Sequence, residues 1–329
     1  MKKNIIIVIS AMNMGGSQRV VSILSNHWSK KGYSVSVIST NSGDKSIHFK
    51  FNQNIKLINL GNIPIFSSIK YLNYLWKLFL LRRAIKHTQS DIVISFLTSI
   101  NIATTLATIG LKSNLIICER SWTPFISINK YFFWFFRILF KRIKKVIVQT
   151  NDSKIWINKN FPQINIEVIP NPIDYPLPTD LTKSVNPDSL IASHRKIILG
   201  SGRLHKYKQF DLLIKAFANI KNQHKEWDLV ILGDGEERDN LNRTILDLGV
   251  NERVFLPGNV GNISKWYERA DMFVLSSILE GFPNVLLESM SYGLPCISFD
   301  CNTGPREMIQ NGINGILVNP QEKDSGIRN

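Results

Sequence analysis

Short runs of Ile and Val alternate along the whole chain with longer stretches in which apolar and polar residues mix. Strands and helices that take turns in this way build parallel sheets with helices on their faces. In the first half the apolar runs predict strands at residues 5–9, 35–39, 55–58, 92–95, 115–118, 146–149 and 167–169, with helices between most of them. After Asn171-Pro172-Ile173-Asp174 the pattern lapses. To about residue 194 the chain is rich in Pro, Ser, Thr and Asp without an apolar period, as an interdomain linker is. The pattern then restarts, with strands predicted at 197–200, 228–232, 254–256, 272–275, 295–299 and 316–318, and helices at 210–221, 236–248 and after Pro283. A chain of 329 residues exceeds the usual size of one domain. The expected architecture is α/β, with two Rossmann-like domains, 1–175 and 195–329, joined by a linker at 176–194. Ligands of open α/β sheets bind beyond the C-terminal strand ends, so the two units are expected to face a central cleft.

Strand-end segments of the second half carry the candidate chemistry. Ser277-Ile278-Leu279-Glu280-Gly281-Phe282-Pro283-Asn284-Val285-Leu286-Leu287-Glu288 sets two carboxylates, with seven residues between them, at the mouth of a helix. Pro283 suits a first helical turn, Leu286, Leu287 and Met290 form an apolar face, and Gly293 followed by Pro295 is a stop signal. Glu280 then lies in the loop and Glu288 in the helix. Free N–H groups over residues 282 to 284 carry the positive end of the helix dipole, which suits a phosphate. Upstream, Gly200-Ser201-Gly202-Arg203-Leu204-His205-Lys206-Tyr207-Lys208 follows a predicted strand. Gly202 lets the backbone approach a ligand, and Arg203 and Lys208 either aim at one phosphate group or are ordinary solvated cations. Leu232-Gly233-Asp234-Gly235 reads as a tight turn without chemistry.

In this company the Glu280–Glu288 spacing resembles the Glu-x7-Glu motif of retaining glycosyltransferases of the GT-B fold, most closely glycosyltransferase family 4. The resemblance runs from Gly15 to Val318 and is more specific in the second half. It implies a nucleotide diphosphate sugar donor, UDP-linked, and a catalytic set of Arg203, Lys208 and Glu280. Arg203 and Lys208 would neutralise the leaving diphosphate, Glu280 would hold the sugar and Glu288 the ribose. The backbone of Phe282, Pro283, Asn284 and Val285, with Gly202, would complete the donor site. Gly258 and Val260, in Leu256-Pro257-Gly258-Asn259-Val260, correspond to the family segment that meets the base, although an ordinary turn explains them equally. Cys301-Asn302-Thr303-Gly304-Pro305-Arg306-Glu307 is similar to family loops near the donor. In the first half Gly15-Gly16-Ser17-Gln18 resembles the family's Gly-Gly-x-Glu, with Gly16 as a donor contact or as a bare helix cap. Glu119 and Arg120 resemble a pair near the transferred sugar and acceptor, or are simply paired charges. Two departures stand out: Gln18 replaces a glutamate, and Gln209 replaces the glycine that usually follows Lys208.

The resemblance implies no metal ion and no cofactor besides the sugar nucleotide co-substrate. No Asp-x-Asp segment occurs, and the histidines lack metal-ligand spacing. Cys118, Cys296 and Cys301 form no C-x-x-C pair and leave an odd thiol, which indicates a reducing compartment and buried small residues. The opening Met1-Lys2-Lys3-Asn4 precedes an apolar run too short for a signal peptide, so a first strand is expected there. No run of spanning length occurs, and a cytoplasmic protein is expected.

Charge is uneven. Residues 1–188 hold 24 Lys and Arg against 8 Asp and Glu, or +16, whereas residues 189–329 hold 16 against 17, or −1. Within the basic half, residues 71–83 and 131–145 mix aromatics with clustered Lys and Arg. Such helices lie in an anionic headgroup layer, or else pack their apolar faces on the sheet. Peripheral attachment to the inner face of the cell membrane, with a lipid-linked oligosaccharide acceptor, is the expectation. Nucleic acid is not an expected partner, since no recognised binding fold accompanies the charge. The expected activity is transfer of a hexose or N-acetylhexosamine in bacterial surface polysaccharide biosynthesis. A nucleotide-sugar 2-epimerase of the same fold is the alternative. So is a catalytically silent binding protein, because family members normally continue into a longer C-terminal helix and the second domain reads as shortened.

Overall fold

The computed structural model describes residues 3–13, 15–41, 47, 49–62, 70–120 and 143–320. The chain divides into two compact units, Met1–Pro172 and Ile173–Asn329. Unit one runs β1 (Asn4–Ile9), α1 (Gly16–Lys30), β2 (Ser34–Ser39), β3 (Lys56–Asn59), α2 (Lys70–His87), β4 (Ile92–Phe96), α3 (Thr98–Ala107), β5 (Asn114–Cys118), β6 (Ile143–Val148), α4 (Asn151–Asn160) and β7 (Ile166–Val168). Its strands form one parallel sheet in the order β3-β2-β1-β4-β5-β6-β7. Successive residues of β1 serve opposite faces: Ile6 and Val8 pack with Leu81, Ile85, Val93 and Ile117, while Ile5, Ile7 and Ile9 pack with Val20, Val21 and Val35. A strand buried on both faces has to be apolar throughout, and for this reason the runs are continuous rather than alternating.

Unit two repeats the plan with β8 (Lys196–Ser201), α5 (Phe210–Ile220), β9 (Trp227–Leu232), α6 (Arg238–Asp247), β10 (Val254–Gly258), α7 (Ile263–Arg269), β11 (Met272–Leu275), α8 (Asn284–Ser291), β12 (Cys296–Phe299), α9 (Pro305–Met308) and β13 (Ile316–Val318). The parallel order is β10-β9-β8-β11-β12-β13. Again one strand feeds two cores, with Val230 and Leu232 of β9 on one side and Leu229 and Ile231 on the other. In both sheets the order reverses beside the first strand, between β1 and β4 and between β8 and β11. Chains leaving adjacent strands there diverge to opposite faces, which opens a crevice at the C-terminal ends.

Every strand expected from the apolar runs is present. β6 starts ahead of its apolar run, at Ile143, because Lys144 and Lys145 interrupt the pattern without interrupting the ladder. Residues 176–194, read as a linker, pack on unit two instead. Leu177 and Ile191 are buried in its core. The Asp180 amide donates to the Gly261 carbonyl at 2.7 Å, the Gly261 amide to Lys183 at 2.7 Å, and Asn262 bonds both backbone groups of Val185. Polar backbone pairing holds this segment, so no side-chain period marks it. At the far end of β9 from the crevice, Asp228 is buried and receives hydrogen bonds from Arg195 and Arg253.

Candidate active site

The strand reversal of unit two brings two loops together. From β8 the chain continues through Gly202 and Arg203 into a single helical turn, Lys206–Lys208, and from β11 through Ser276 to Pro283. The Ile278 amide donates to the Tyr207 carbonyl at 3.0 Å, and Ser276 Oγ donates to the Lys208 carbonyl at 2.6 Å. Between these ties Lys208 Nζ meets Glu280 Oε1 at 2.5 Å. Both side chains are sheltered, at 21% and 11% exposure. The loop after β12 holds the backbone of Glu280 in place. Thr303 Oγ1 donates to the Glu280 carbonyl at 2.5 Å, and Gly304, at φ +96°, lies where any Cβ would come within 2.5 Å of Pro283 Cδ.

Glycines set the next layer by close backbone approach. At Gly202, φ +154°, a Cβ would stand 3.3 Å from Lys208 Cε, and at Gly233, φ +129°, it would stand 1.9 Å from the Gly202 carbonyl oxygen. No side chain fits there. The Gly202 amide donates to Leu232, the Leu204 amide to Asp234, and the Gly233 amide to Gly258, at 2.9, 3.0 and 2.8 Å. Arg238 closes the group by bonding the carbonyls of Gly233 and Leu256 and the Asp234 carboxylate. That guanidinium bond, with the Gly235 amide, holds the Asp234 carboxyl below the usual carboxylate range.

Arg203 takes a different carboxylate from Lys208. Its Nη2 pairs with Glu236 Oε2 at 3.1 Å, in an exposed contact, and His205 Nε2 lies 3.2 Å from the other oxygen of the same carboxylate. His205 Nδ1 accepts the Tyr207 amide, which leaves the ring proton on Nε2 facing Glu236. Pro283 is buried at the boundary of α8 and carries no N–H, so the amides expected over residues 282 to 284 exclude that position. The helix's own ladder begins with Leu286 and Leu287, both donating to the Pro283 carbonyl, and Val285 lies in the turn ahead of them. Phe282 is half-buried. Glu288, one helical turn further in, is buried, with Tyr267 Oη 3.2 Å from its Oε2. Val260, two residues past Gly258, packs partly against the same core.

In unit one, Glu119 follows the end of β5. Its oxygens accept from Thr98 Oγ1 at 2.9 Å and from the Arg120 amide at 3.0 Å, and Asn101 lies 3.5 Å away. The Arg120 guanidinium lies over the Phe96 ring, 4.7 Å from its centroid, and donates to Asn171, while its Nε has no hydrogen-bond partner. Burial lowers its pKa and raises that of the neighbouring Cys118 thiol to about 11. At the end of β1, Gly16 opens α1. The Gln18 side-chain amide donates to Asn13 Oδ1 at 3.3 Å and lies over Gly15.

Comparison with known proteins places this geometry. Residues 14–175 match Glycosyltransferase Family 4, and residues 183–327 match Glycosyl transferases group 1. Over 314 residues the chain is 30% identical to the GalNAc-alpha-(1->4)-GalNAc-alpha-(1->3)-diNAcBac-PP-undecaprenol alpha-1,4-N-acetyl-D-galactosaminyltransferase of Campylobacter jejuni, spanning 94% of this chain and 83% of that one. This chain belongs to glycosyltransferase family 4. Amylovoran biosynthesis glycosyltransferase AmsD of Erwinia amylovora is 29% identical over 98% of this glycosyltransferase and 88% of its own length. Sucrose-phosphate synthase from Thermosynechococcus elongatus superposes with TM-score 0.79 at 15% identity, over 98% of this chain and 87% of that one. The fold is GT-B, with two Rossmann-like units.

Of the residues singled out in the glycosyltransferase sequence, the structure brings together Lys208, Glu280, Gly202 and the start of α8. Gly258 joins them through Gly233. Arg203 sits on Glu236, and Glu119 and Arg120 belong to the other unit. Local pattern missed Tyr267, which lies on the unanticipated helix α7, and Glu236, whose partner is far off in sequence. Thr303 was visible only as part of a polar turn. Among the described residues no group of three or more His, Cys, Asp and Glu could hold a metal ion, and no helix is long and apolar enough to cross a membrane. Residues 71–83 fall on α2, whereas 131–142 of the second basic aromatic stretch lie outside the described residues.

Proposed function

We propose that this glycosyltransferase moves a hexose or N-acetylhexosamine, with retention, from a UDP-linked or similar nucleotide diphosphate sugar to a lipid-linked saccharide in bacterial surface polysaccharide assembly. The Lys208–Glu280 pair at the strand reversal carries this reading. An ammonium has three protons, and Glu280 engages one, so others remain for a diphosphate oxygen. As the bond from the anomeric carbon to the diphosphate oxygen breaks, Lys208 meets the growing negative charge, and the first turn of α8 adds its dipole. Arg203 joins at little cost, since Arg203–Glu236 is a solvent-exposed pair and water screens its attraction. These groups supply the positive charge, and the reading assigns no metal ion.

Glu280 has a second oxygen with which to accept a hydroxyl of the transferred sugar, and Glu288, held by Tyr267, receives the ribose. The acceptor hydroxyl attacks the anomeric carbon from the face the diphosphate leaves. A departing phosphate oxygen takes the hydroxyl proton, and no protein base takes part. On the acceptor side stand Glu119 and the half-buried cation Arg120. The PP-undecaprenol acceptor in the name of the Campylobacter relative supports a lipid-linked acceptor here. The +16 charge of residues 1–188 supports peripheral attachment to an anionic membrane.

Incubating the full chain with UDP-, GDP- and ADP-sugars, with and without polyprenyl diphosphate-linked saccharides, tests the reading. Acceptor-dependent release of one nucleotide is expected. Epimerised sugar formed without acceptor would overturn it in favour of the 2-epimerase, and donor binding without turnover would favour a silent binding protein.

A further inference from the structure

Helix α2 is apolar on two opposite sides. One side is built into unit one, with Leu81 and Ile85 fully buried and Leu78, Leu80 and Ala84 packed on the same core. Arg82 Nη1 fixes the helix's rotation by donating to the carbonyls of Ala107 and Ile109 at the end of α3. The other side carries Leu72, Leu75 and Phe79, which are 42%, 59% and 50% exposed. Their spacing of three and four residues lines them along one stripe, turned away from the core. The same stripe continues one turn later as Arg83 and Lys86, both exposed. From residue 45 to residue 90 the sequence has eight Lys and Arg and neither Asp nor Glu.

A helix that needs only one apolar side to join its sheet gains nothing in water from a second. Apolar side chains followed by cations on one outward stripe fit a surface that is greasy within and anionic at its rim. We infer that the outward stripe of α2 docks on an anionic lipid surface, with Leu72, Leu75 and Phe79 in the acyl boundary and Arg83 and Lys86 on lipid phosphates. The inference rests on the membrane attachment proposed above and names the surface that carries it.

Flotation of the full chain with vesicles of equal parts phosphatidylglycerol and phosphatidylcholine, against phosphatidylcholine alone, tests it. Wild type is expected to float with the anionic vesicles, and the double variant Leu75→Glu/Phe79→Glu to partition about tenfold less. Leu75→Ser/Phe79→Ser is the milder companion, and a circular dichroism melt checks that both are folded. Arg83→Glu/Lys86→Glu is expected to bind more weakly and to lose the salt dependence of wild type. Failure of wild type to float overturns the attachment itself. Undiminished flotation of the folded Leu75/Phe79 variants overturns this surface alone. A wild-type dimer in sedimentation velocity that the same variants dissociate would assign the stripe to a second copy and overturn the lipid reading.

Discussion

Lys208 Nζ and Glu280 Oε1 meet at 2.5 Å although 72 residues separate them, because β8 and β11 lie side by side where the strand order reverses. The ammonium is thus held at the crevice by a carboxylate, with its remaining protons unspent.

Glu280→Gln keeps the shape and removes the charge that steers Lys208. Turnover is expected to fall by about two orders of magnitude, the scale of one lost transition-state contact. Steady-state nucleotide release checks this, and the melting temperature should change little.

Gly233→Ala is expected to destabilise unit two by about 2–3 kcal/mol and to raise the donor KM, since its Cβ would collide with the Gly202 carbonyl. Thermal unfolding and donor titration read the two effects separately. Gly293, also at positive φ (+77°) but with nothing within 4 Å of a Cβ, shows the backbone cost of alanine without a collision.

How far such a site was legible in advance depended on where its information lies. The strands were legible because burial on both faces, as at Ile5–Ile9, forces an apolar run into one short stretch. Gly233 read as a plain turn, since its need for glycine comes from a backbone oxygen on another loop. Residues 176–194 read as a linker, because hydrogen bonds to Gly261 and Asn262 leave no trace in local composition. Proximity in sequence groups Arg203 with Lys208, whereas its partner Glu236 comes from the loop after β9. The pairing of Tyr267 with Glu288 was hidden likewise, since neither residue alone signals the other.

Asp228→Ala leaves Arg195 and Arg253 facing each other over a buried gap. Loss of a partner from such a group costs about 3–5 kcal/mol, so a drop in denaturant midpoint is expected. Nucleotide release per folded molecule should hold, because Asp228 sits at the end of β9 remote from the crevice.

The cysteines are expected to be inert in the native state. Burial pushes Cys118 up to about 11, and burial, followed by the charge of Glu280, pushes Cys301 up to about 12. A raised thiol pKa keeps the sulfur protonated at pH 8, leaving roughly one thiolate in a thousand or fewer. Iodoacetamide labelling followed by mass spectrometry should find both unmodified until denaturant is added.

The central claim is that Lys208 stabilises the leaving diphosphate. Its most direct test is the rate of acceptor-dependent nucleotide release by Lys208→Ala at saturating donor. We expect kcat to fall by about 10²–10³ with a smaller change in donor KM. A kcat within about twofold of wild type would contradict the account.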